Sequence, residues 1–309
     1  MSTRPDPPGL PEWLGWSTQR VSRWVSSRPE PVVMGWPYNG TRRWYVAYRL
    51  RNPGADDYLG ILIRRQAELH RLIFAHGVSV ILAPSFGTET LRRGGAYTRY
   101  ALGGLERLPE DEVYQALIDS GVRIRFYGDY EMALATAGLH TALEACLALN
   151  NANADEDGPL LLIGLFADDP YPTIARLSVE FAGREGRPPD RAELIEAYFG
   201  VSVPDLSLYV GFAQPEMFDV PLLNNGLEHL YVTLNPSPDL TERQLREILY
   251  DHLVMRRAAP VDYEALSPRA QQDLAKYTER SKGDTLGIGR IDPLTGLWRP
   301  VLPTHDRYD

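Results

Sequence analysis

Pro37-Tyr38-Asn39-Gly40-Thr41-Arg42-Arg43-Trp44 follows directly on the apolar run Pro31 to Trp36. The run reads as a strand, Asn39-Gly40 as a turn, and Thr41 onward as the start of a helix. Gly40 lets the backbone approach a ligand closely, and a helix N-terminus presents N–H groups that no intrahelical acceptor takes. Arg42 and Arg43 add fork-shaped cationic donors suited to phosphate oxygens. Strand, glycine turn, helix start and two arginines together make a cradle for a diphosphate. The spacing alone is met equally by a surface turn carrying two solvated arginines.

Outward from this segment, short apolar runs alternate with helical patterns. Leu59 to His76 is expected to be a helix, Val78 to Ala83 a strand, Glu110 to Ser120 a helix and Val122 to Tyr127 a strand. Leu134 to Leu149 continues as a helix and Leu160 to Phe166 as a strand, with Asp190 to Phe199 a further helix. Leu206 to Phe212 and Leu230 to Leu234 are strands, and Thr241, a plausible N-cap, opens a helix to Arg257. This alternation predicts an α/β fold, a mostly parallel central sheet with helices on both faces. Ligands of such sheets collect beyond the carboxyl ends of the strands.

Residues 1–30 read as an N-terminal arm carrying Trp13, Trp16 and Trp24 on roughly one helical side, and 31–257 as the catalytic domain. Residues 258–309, polar and rich in turn formers, read as an extension wrapping that domain. The arm has too few basic residues for electrostatic attachment to a membrane, so packing on the body or on a partner subunit is expected.

With 309 residues, 44% of them hydrophobic, the chain can bury a sizeable core. Its net charge of -9 argues against nucleic acid, which is bound by neutralising phosphates. No run approaches the length of a membrane span, and Met1 to Leu10, with three prolines, does not resemble a signal peptide. The single cysteine, Cys146, lies in an apolar helical stretch and is expected to be a packed, unreactive thiol. A reducing, cytoplasmic setting follows as the expectation. The six histidines show no zinc-ligand spacing.

The cradle segment resembles the signature of the cis-prenyltransferases, which place Asp-Gly-Asn before Arg-Trp. The resemblance continues in order through Ile81-Leu82-Ala83-Pro84-Ser85-Phe86-Gly87-Thr88-Glu89-Thr90, through Gly121 to Tyr130, and through Thr241 to His252. A narrower match is to the tuberculosinol synthase and tuberculosinyl adenosine transferase family, which includes kolavelool synthase-type diterpene synthases. Six ordered motifs carry it: Gly40-Thr41-Arg42-Arg43-Trp44, Asp56-Asp57-Tyr58, Arg93-Gly94-Gly95-Ala96-Tyr97, Phe126-Tyr127-Gly128-Asp129-Tyr130, Phe218-Asp219-Val220-Pro221-Leu222-Leu223 and Ile248-Leu249-Tyr250-Asp251-His252.

The departures bear on function. A chain-elongating enzyme carries arginines for isopentenyl diphosphate where this chain reads Leu208-Tyr209-Val210-Gly211-Phe212-Ala213-Gln214-Pro215, and residues 206–224 contain no arginine. One diphosphate, not two, is therefore expected. The resemblance implies a diterpene synthase that ionises a bicyclic C20 prenyl diphosphate and quenches the allylic cation with water. Transfer of the diterpenyl group to a nucleoside such as adenosine is the alternative. Chain elongation, or binding of a prenyl diphosphate without catalysis, stands behind both.

Within that frame Gly40, Thr41, Arg42, Arg43 and Arg93 are the expected diphosphate contacts, with Arg92 beside them. Asn39, Tyr58, Tyr97 and Asp129 are the expected catalytic positions. Tyr58 and Tyr97 could orient water or face the cation with their rings, or could be buried phenols satisfied by backbone. Asp129 could act at the active edge or cap the next helix. Asp56 and Asp57 read as helix initiators before Tyr58 rather than Mg²⁺ ligands. The family usually has an aspartate at position 39. Asparagine is a weaker ligand for the Mg²⁺ that the resemblance implies, and it cannot accept a proton at ordinary pH. A homodimer is also implied.

Overall fold

The computed structural model describes residues 8–92, 98, 101–152, 157–257 and 261–302. Six strands form one sheet: β1 (Val33–Gly35), β2 (Val80–Phe86), β3 (Arg123–Tyr127), β4 (Leu160–Leu165), β5 (Leu208–Phe212) and β6 (His229–Thr233). Their order is β3-β4-β2-β1-β5-β6, and every pairing is parallel. The chain builds outward from β1 on the β2 side first and crosses to the β5 side later. The loop after β1 therefore leaves the sheet where the winding changes direction, the position at which open parallel sheets bind ligands.

Side chains along the strands alternate between two cores, as a period of two requires. Ile81, Ile124, Leu161, Ile163, Leu208 and Val210 enter the larger core, while Val80, Leu82, Leu160, Leu162 and Tyr209 enter the smaller one. Helices α1 (Leu10–Gly15), α2 (Thr18–Ser26), α3 (Thr41–Arg51), α4 (Tyr58–Ala75), the short α5 (Glu89–Arg92), α6 (Glu112–Asp119), α7 (Tyr130–Thr136) and α8 (His140–Ala152) precede β4 in the order of the chain. Helices α9 (Tyr171–Glu185), α10 (Arg191–Phe199), α11 (Glu242–Leu253) and α12 (Pro268–Arg280) follow β4. The larger core takes Ile73 of α4, Leu117 of α6, Cys146 of α8 and Leu249 of α11; the smaller takes Ile195 and Phe199 of α10. Burial pushes the Cys146 thiol up to about 12, so it stays protonated.

Capping explains several boundaries. Asp57 accepts from the Gly60 N–H and begins α4, while Asp190 and Thr241 each form a reciprocal capping box ahead of α10 and α11. The single helix expected over Leu134 to Leu149 is two helices, because Gly138 takes a φ of 69° and turns the chain between α7 and α8. Helix α11 stops at Leu253 and a 3₁₀ turn, Met255–Arg257, follows it. Helix α9 has no counterpart among the expected elements. None of its residues is buried, and Ile174 and Leu177 are only partly covered against the smaller core.

The arm is built into the larger core. Trp13 is fully buried, packs 5.4 Å from Trp16 and 5.2 Å from Trp24 between ring centres, and donates its indole N–H to the Arg246 carbonyl at 2.8 Å. Buried Arg246 answers by donating to the carbonyls of Leu14 and Trp16, at 3.1 and 2.6 Å. At the other end, residues 261–302 contribute no buried residue and include an antiparallel hairpin, β7 (Gly289–Ile291) with β8 (Trp298–Pro300). No helix among the described residues is long and apolar enough to cross a membrane.

Candidate active site

Strand β1 is followed by buried Trp36, whose N–H donates to the Leu82 carbonyl of β2 at 2.7 Å. The chain then turns. Asn39 donates its backbone N–H to Pro37 O and to Ser237 Oγ and accepts the Ser237 N–H, while Ser237 Oγ donates to Pro37 O. A distant segment thus clamps the turn. The Asn39 carboxamide oxygen accepts the Gly40 N–H at 2.8 Å.

Gly40 is left-handed, with φ +73°, and a Cβ there would come within 2.5 Å of the Phe212 ring. Glycine is required on both counts. The turn feeds α3, whose first turn has no acidic residue and no side-chain cap. Arg42 and Arg43 are therefore placed where the helix dipole already concentrates positive potential, an arrangement that disfavours the helix alone and favours a bound anion. Trp44 anchors α3 from below, donating to Asp239 at 2.9 Å and stacking on Tyr48.

A cavity of about 360 Å³ opens beside this turn, within the range of small-molecule sites. Exposed Asn39 and Arg42, with Thr41 and Tyr58, form its polar end. Buried Leu62 of α4 and Leu105 and Leu108 of the 3₁₀ helix Leu105–Glu110 line its apolar interior. Thr41 Oγ1 and the Tyr58 hydroxyl are 3.1 Å apart, and Tyr45 packs edge-on to Tyr58. Tyr38 donates to the Leu62 carbonyl, and burial raises its pKa so that it remains a neutral phenol.

Arg43 faces elsewhere. Its guanidinium carbon lies 4.8 Å from the centre of the Phe212 ring, a cation–π contact. Phe212 ends β5, and Tyr209 of the same strand packs so tightly beneath Gly35 that a Cβ there would meet its ring at 2.4 Å. Aromatic rings thus occupy the side of the cradle along the arginine-free stretch.

Asn39, Thr41, Arg42 and Tyr58 are brought together, with Gly40 and Arg43 immediately beside them. Asp129 is placed apart. It follows β3, two strand positions away from β2, or about 14 Å from β1 at the usual strand spacing. It stands at the N-cap of α7 but makes no side-chain cap bond. Burial raises its pKa and Arg176 opposes the shift. Asp168 and Asp219 belong to the same acidic neighbourhood around the Tyr198 phenol, and burial with the Asp168 charge lifts Asp219 to about 6. Arg93 and Tyr97 lie outside the described residues. The sequence reasoning passed over Tyr38, Gln66 and Glu89 as cavity residues and Ser237 as a clamp. Glu89 was visible inside the quoted Phe86-Gly87-Thr88-Glu89 motif, whereas nothing local marks Ser237.

Over 272 residues the chain is 33% identical to the tuberculosinyl adenosine transferase of Mycobacterium tuberculosis, covering 87% of this chain and 90% of that one. The chain belongs to the tuberculosinyl adenosine transferase family. Within the same reach, the (+)-kolavelool synthase of Herpetosiphon aurantiacus is 33% identical over 112 residues, 36% of this chain and 37% of that protein. No family model matches the chain. Lavandulyl diphosphate synthase from Lavandula x intermedia, solved with dimethylallyl diphosphate, superposes with a TM-score of 0.58 at 12% identity, covering 78% of this chain and 98% of that one. A probable undecaprenyl diphosphate synthase from Campylobacter jejuni gives 0.52 at 15% identity, covering 76% and 99%. This member of the tuberculosinyl adenosine transferase family is thus an enzyme on the cis-prenyltransferase fold.

Proposed function

We propose that the chain ionises a bicyclic C20 allylic diphosphate of labdane, halimadane or clerodane type and captures the cation with water, giving a diterpene alcohol. One observation carries it: a single cavity joins the cationic start of α3 to a buried apolar wall, while Phe212 fills the neighbouring position. Arg42 and the α3 amides hold the diphosphate and stabilise the charge it gains as the C–O bond breaks, the largest electrostatic task of the reaction. Arg43 adds to that field from beside the ring of Phe212. Tyr58 faces the same space, and its ring can stabilise a neighbouring cation.

The donor set was tested against a resident Mg²⁺. No group of three His, Cys, Asp or Glu side chains among the described residues could hold a metal, and the Asn39 oxygen already accepts from Gly40. Mg²⁺ is ordinarily held by one or two carboxylates together with substrate phosphates. Among the described residues the cavity wall offers Mg²⁺ one carboxylate, Glu89, so an ion there would be held chiefly by the substrate phosphates.

Purified protein is incubated with each bicyclic diphosphate and the extract analysed by mass spectrometry; the expected result is a diterpene alcohol, and no product from any of them would sink the proposal. The likeness to a transferase that carries adenosine in its name supports a second reading, transfer to a nucleoside amine. Adenosine added to the same assay separates the two, because a conjugate replaces the alcohol. We also propose a homodimer through β6, an edge strand with Leu227, Leu230 and Leu234 exposed beside it; light scattering on the eluted protein tests it.

A further inference from the structure

We propose that the outward face of α3 docks on the surface of an anionic lipid bilayer and sets the mouth of the cavity against it; that the contact delivers a C20 diphosphate rests on the reading above. The helix carries apolar side chains on both sides. Its inner side holds buried Trp44 with partly buried Tyr45 and Tyr48, while its outer side leaves Val46 63% and Leu50 79% exposed. These two are four positions apart and share one face. Exposed Arg42 and Arg49 border that face, and Arg43, on its other border, is turned to Phe212. Arg51, with Arg64 of α4, stands on the flank, in the wall of a groove of about 480 Å³ between the two helices.

The charge on this face is not neutralised. Helix α3 contains no acidic residue, and among the described residues no carboxylate bonds Arg42, Arg49, Arg51 or Arg64; Arg51 donates to the Ala47 carbonyl. The acids nearby are engaged elsewhere, apart from exposed Asp56. Glu68 holds Arg65, Asp57 accepts from Gly60, and Asp239 accepts from the Trp44 indole. On other surfaces Arg176, Arg191 and Arg243 are each held by a carboxylate, at 3.0, 2.7 and 2.9 Å. A chain of net charge -9 thus concentrates unpaired positive charge around two exposed aliphatic side chains.

A bilayer satisfies both halves of that surface. Anionic headgroups take the guanidinium groups, and Val46 and Leu50 enter the acyl boundary below them. Nucleic acid would match the charge and leave both aliphatic side chains uncovered. The neighbouring cavity adds a second reason. Arg42 belongs to this face and also to the cavity wall, whose interior is lined by Leu62, Leu105 and Leu108. An amphiphile in a bilayer keeps its diphosphate among the headgroups, level with Arg42, so the charged end need not cross bulk water to reach the cradle.

The test is sedimentation with vesicles of phosphatidylcholine, pure or with about one-third phosphatidylglycerol. Wild type should bind the anionic vesicles alone, and less as salt is raised. Replacing Arg49, Arg51 and Arg64 together by Gln should lower binding about 100-fold, since each arginine near an anionic surface contributes about fivefold. The three Arg→Lys changes should retain it. Val46→Gln with Leu50→Gln should lower binding about tenfold or more, whereas Val179→Gln, an equally exposed aliphatic on α9, should leave it unchanged. Glutamine is a good helix former, and melting curves verify the fold of each variant. Turnover of detergent-dispersed diphosphate should be unchanged in these variants, while turnover of vesicle-embedded diphosphate falls with binding. Wild type that ignores anionic vesicles, or binding equal to wild type in either Gln variant, would overturn the proposal. So would a dimer lost with Val46→Gln and Leu50→Gln in light scattering, which would make this face a contact between copies. Wild type that binds vesicles yet turns over no bicyclic diphosphate would defeat the water-capture reading and leave the docking face standing.

Discussion

The guanidinium of Arg43 lies 4.8 Å from the centre of the Phe212 ring, and the same ring closes the space below Gly40. One aromatic side chain thus supports the proposed diphosphate cradle and lies in the stretch, residues 206–224, that contains no arginine.

Gly40→Ala is expected to cost about 1–3 kcal/mol from its left-handed backbone, with a further penalty from the Phe212 ring. Thermal unfolding measures it. Gly40→Ala combined with Phe212→Ala should recover the steric part alone; full additivity of the two losses would show that the ring does not press on the turn.

Arg42 borders the cavity while Arg43 is turned to Phe212. Arg42→Ala should therefore lower kcat/KM by about 100-fold or more, the scale of losing a preorganised charge donor, and Arg43→Ala by less. Steady-state kinetics on the same diphosphate give the comparison, and the reverse order would misplace the ligand.

Asn39→Asp retains the oxygen that accepts from Gly40 and adds a negative charge beside Arg42. Together with Glu89 it would provide two carboxylates. We expect turnover that rises with Mg²⁺ and falls with EDTA in this variant, and a weaker response to either in wild type.

Buried Arg246 donates to Leu14, Trp16 and His76. Arg246→Ala strands these acceptors and should destabilise by about 3 kcal/mol, read by urea unfolding. Limited proteolysis should then cut near residues 26–31, and a wild-type digestion pattern would contradict the arm's dependence on this side chain.

Acid should weaken the fold. Burial lowers the pKa of His70 and His252 to about 3 each, and lowers that of His76, so all three are neutral when folded. Unfolded histidine takes up a proton near 6.5, so stability drains away as pH falls from there toward 3. Asp219, raised to about 6, works in the opposite sense, since its folded carboxyl protonates first and gains stability as pH falls from 6 toward 4. Burial also lowers His229 and raises Asp129, so four histidines oppose two aspartates. Urea midpoints should drop between pH 7 and pH 5, and His70→Phe should flatten the slope.

Much of the fold was legible because buried parallel strands are continuous apolar runs. Leu160 to Phe166 and Leu206 to Phe212 needed no further signal, and Thr241 announced its helix by capping chemistry. The break at Gly138 was hidden because helical periodicity persists on both sides of it. The cradle itself was legible as a local pattern. Its clamp was not, because Ser237 reaches Asn39 across 198 positions of sequence. The separation of Asp129 from the cavity depends on strand order, and no local pattern reveals that β4 inserts between β2 and β3.

The bond from Trp13 to Arg246 has a consequence for biosynthesis. It joins residues 233 positions apart, and the first helices complete a core that otherwise closes only with α11. A chain still held on the ribosome with Arg246 inside the exit tunnel keeps three tryptophans without their packing partner. Closure of that core must wait until α11 has left the ribosome, so the first helices stay without their partner while the whole sheet is being made.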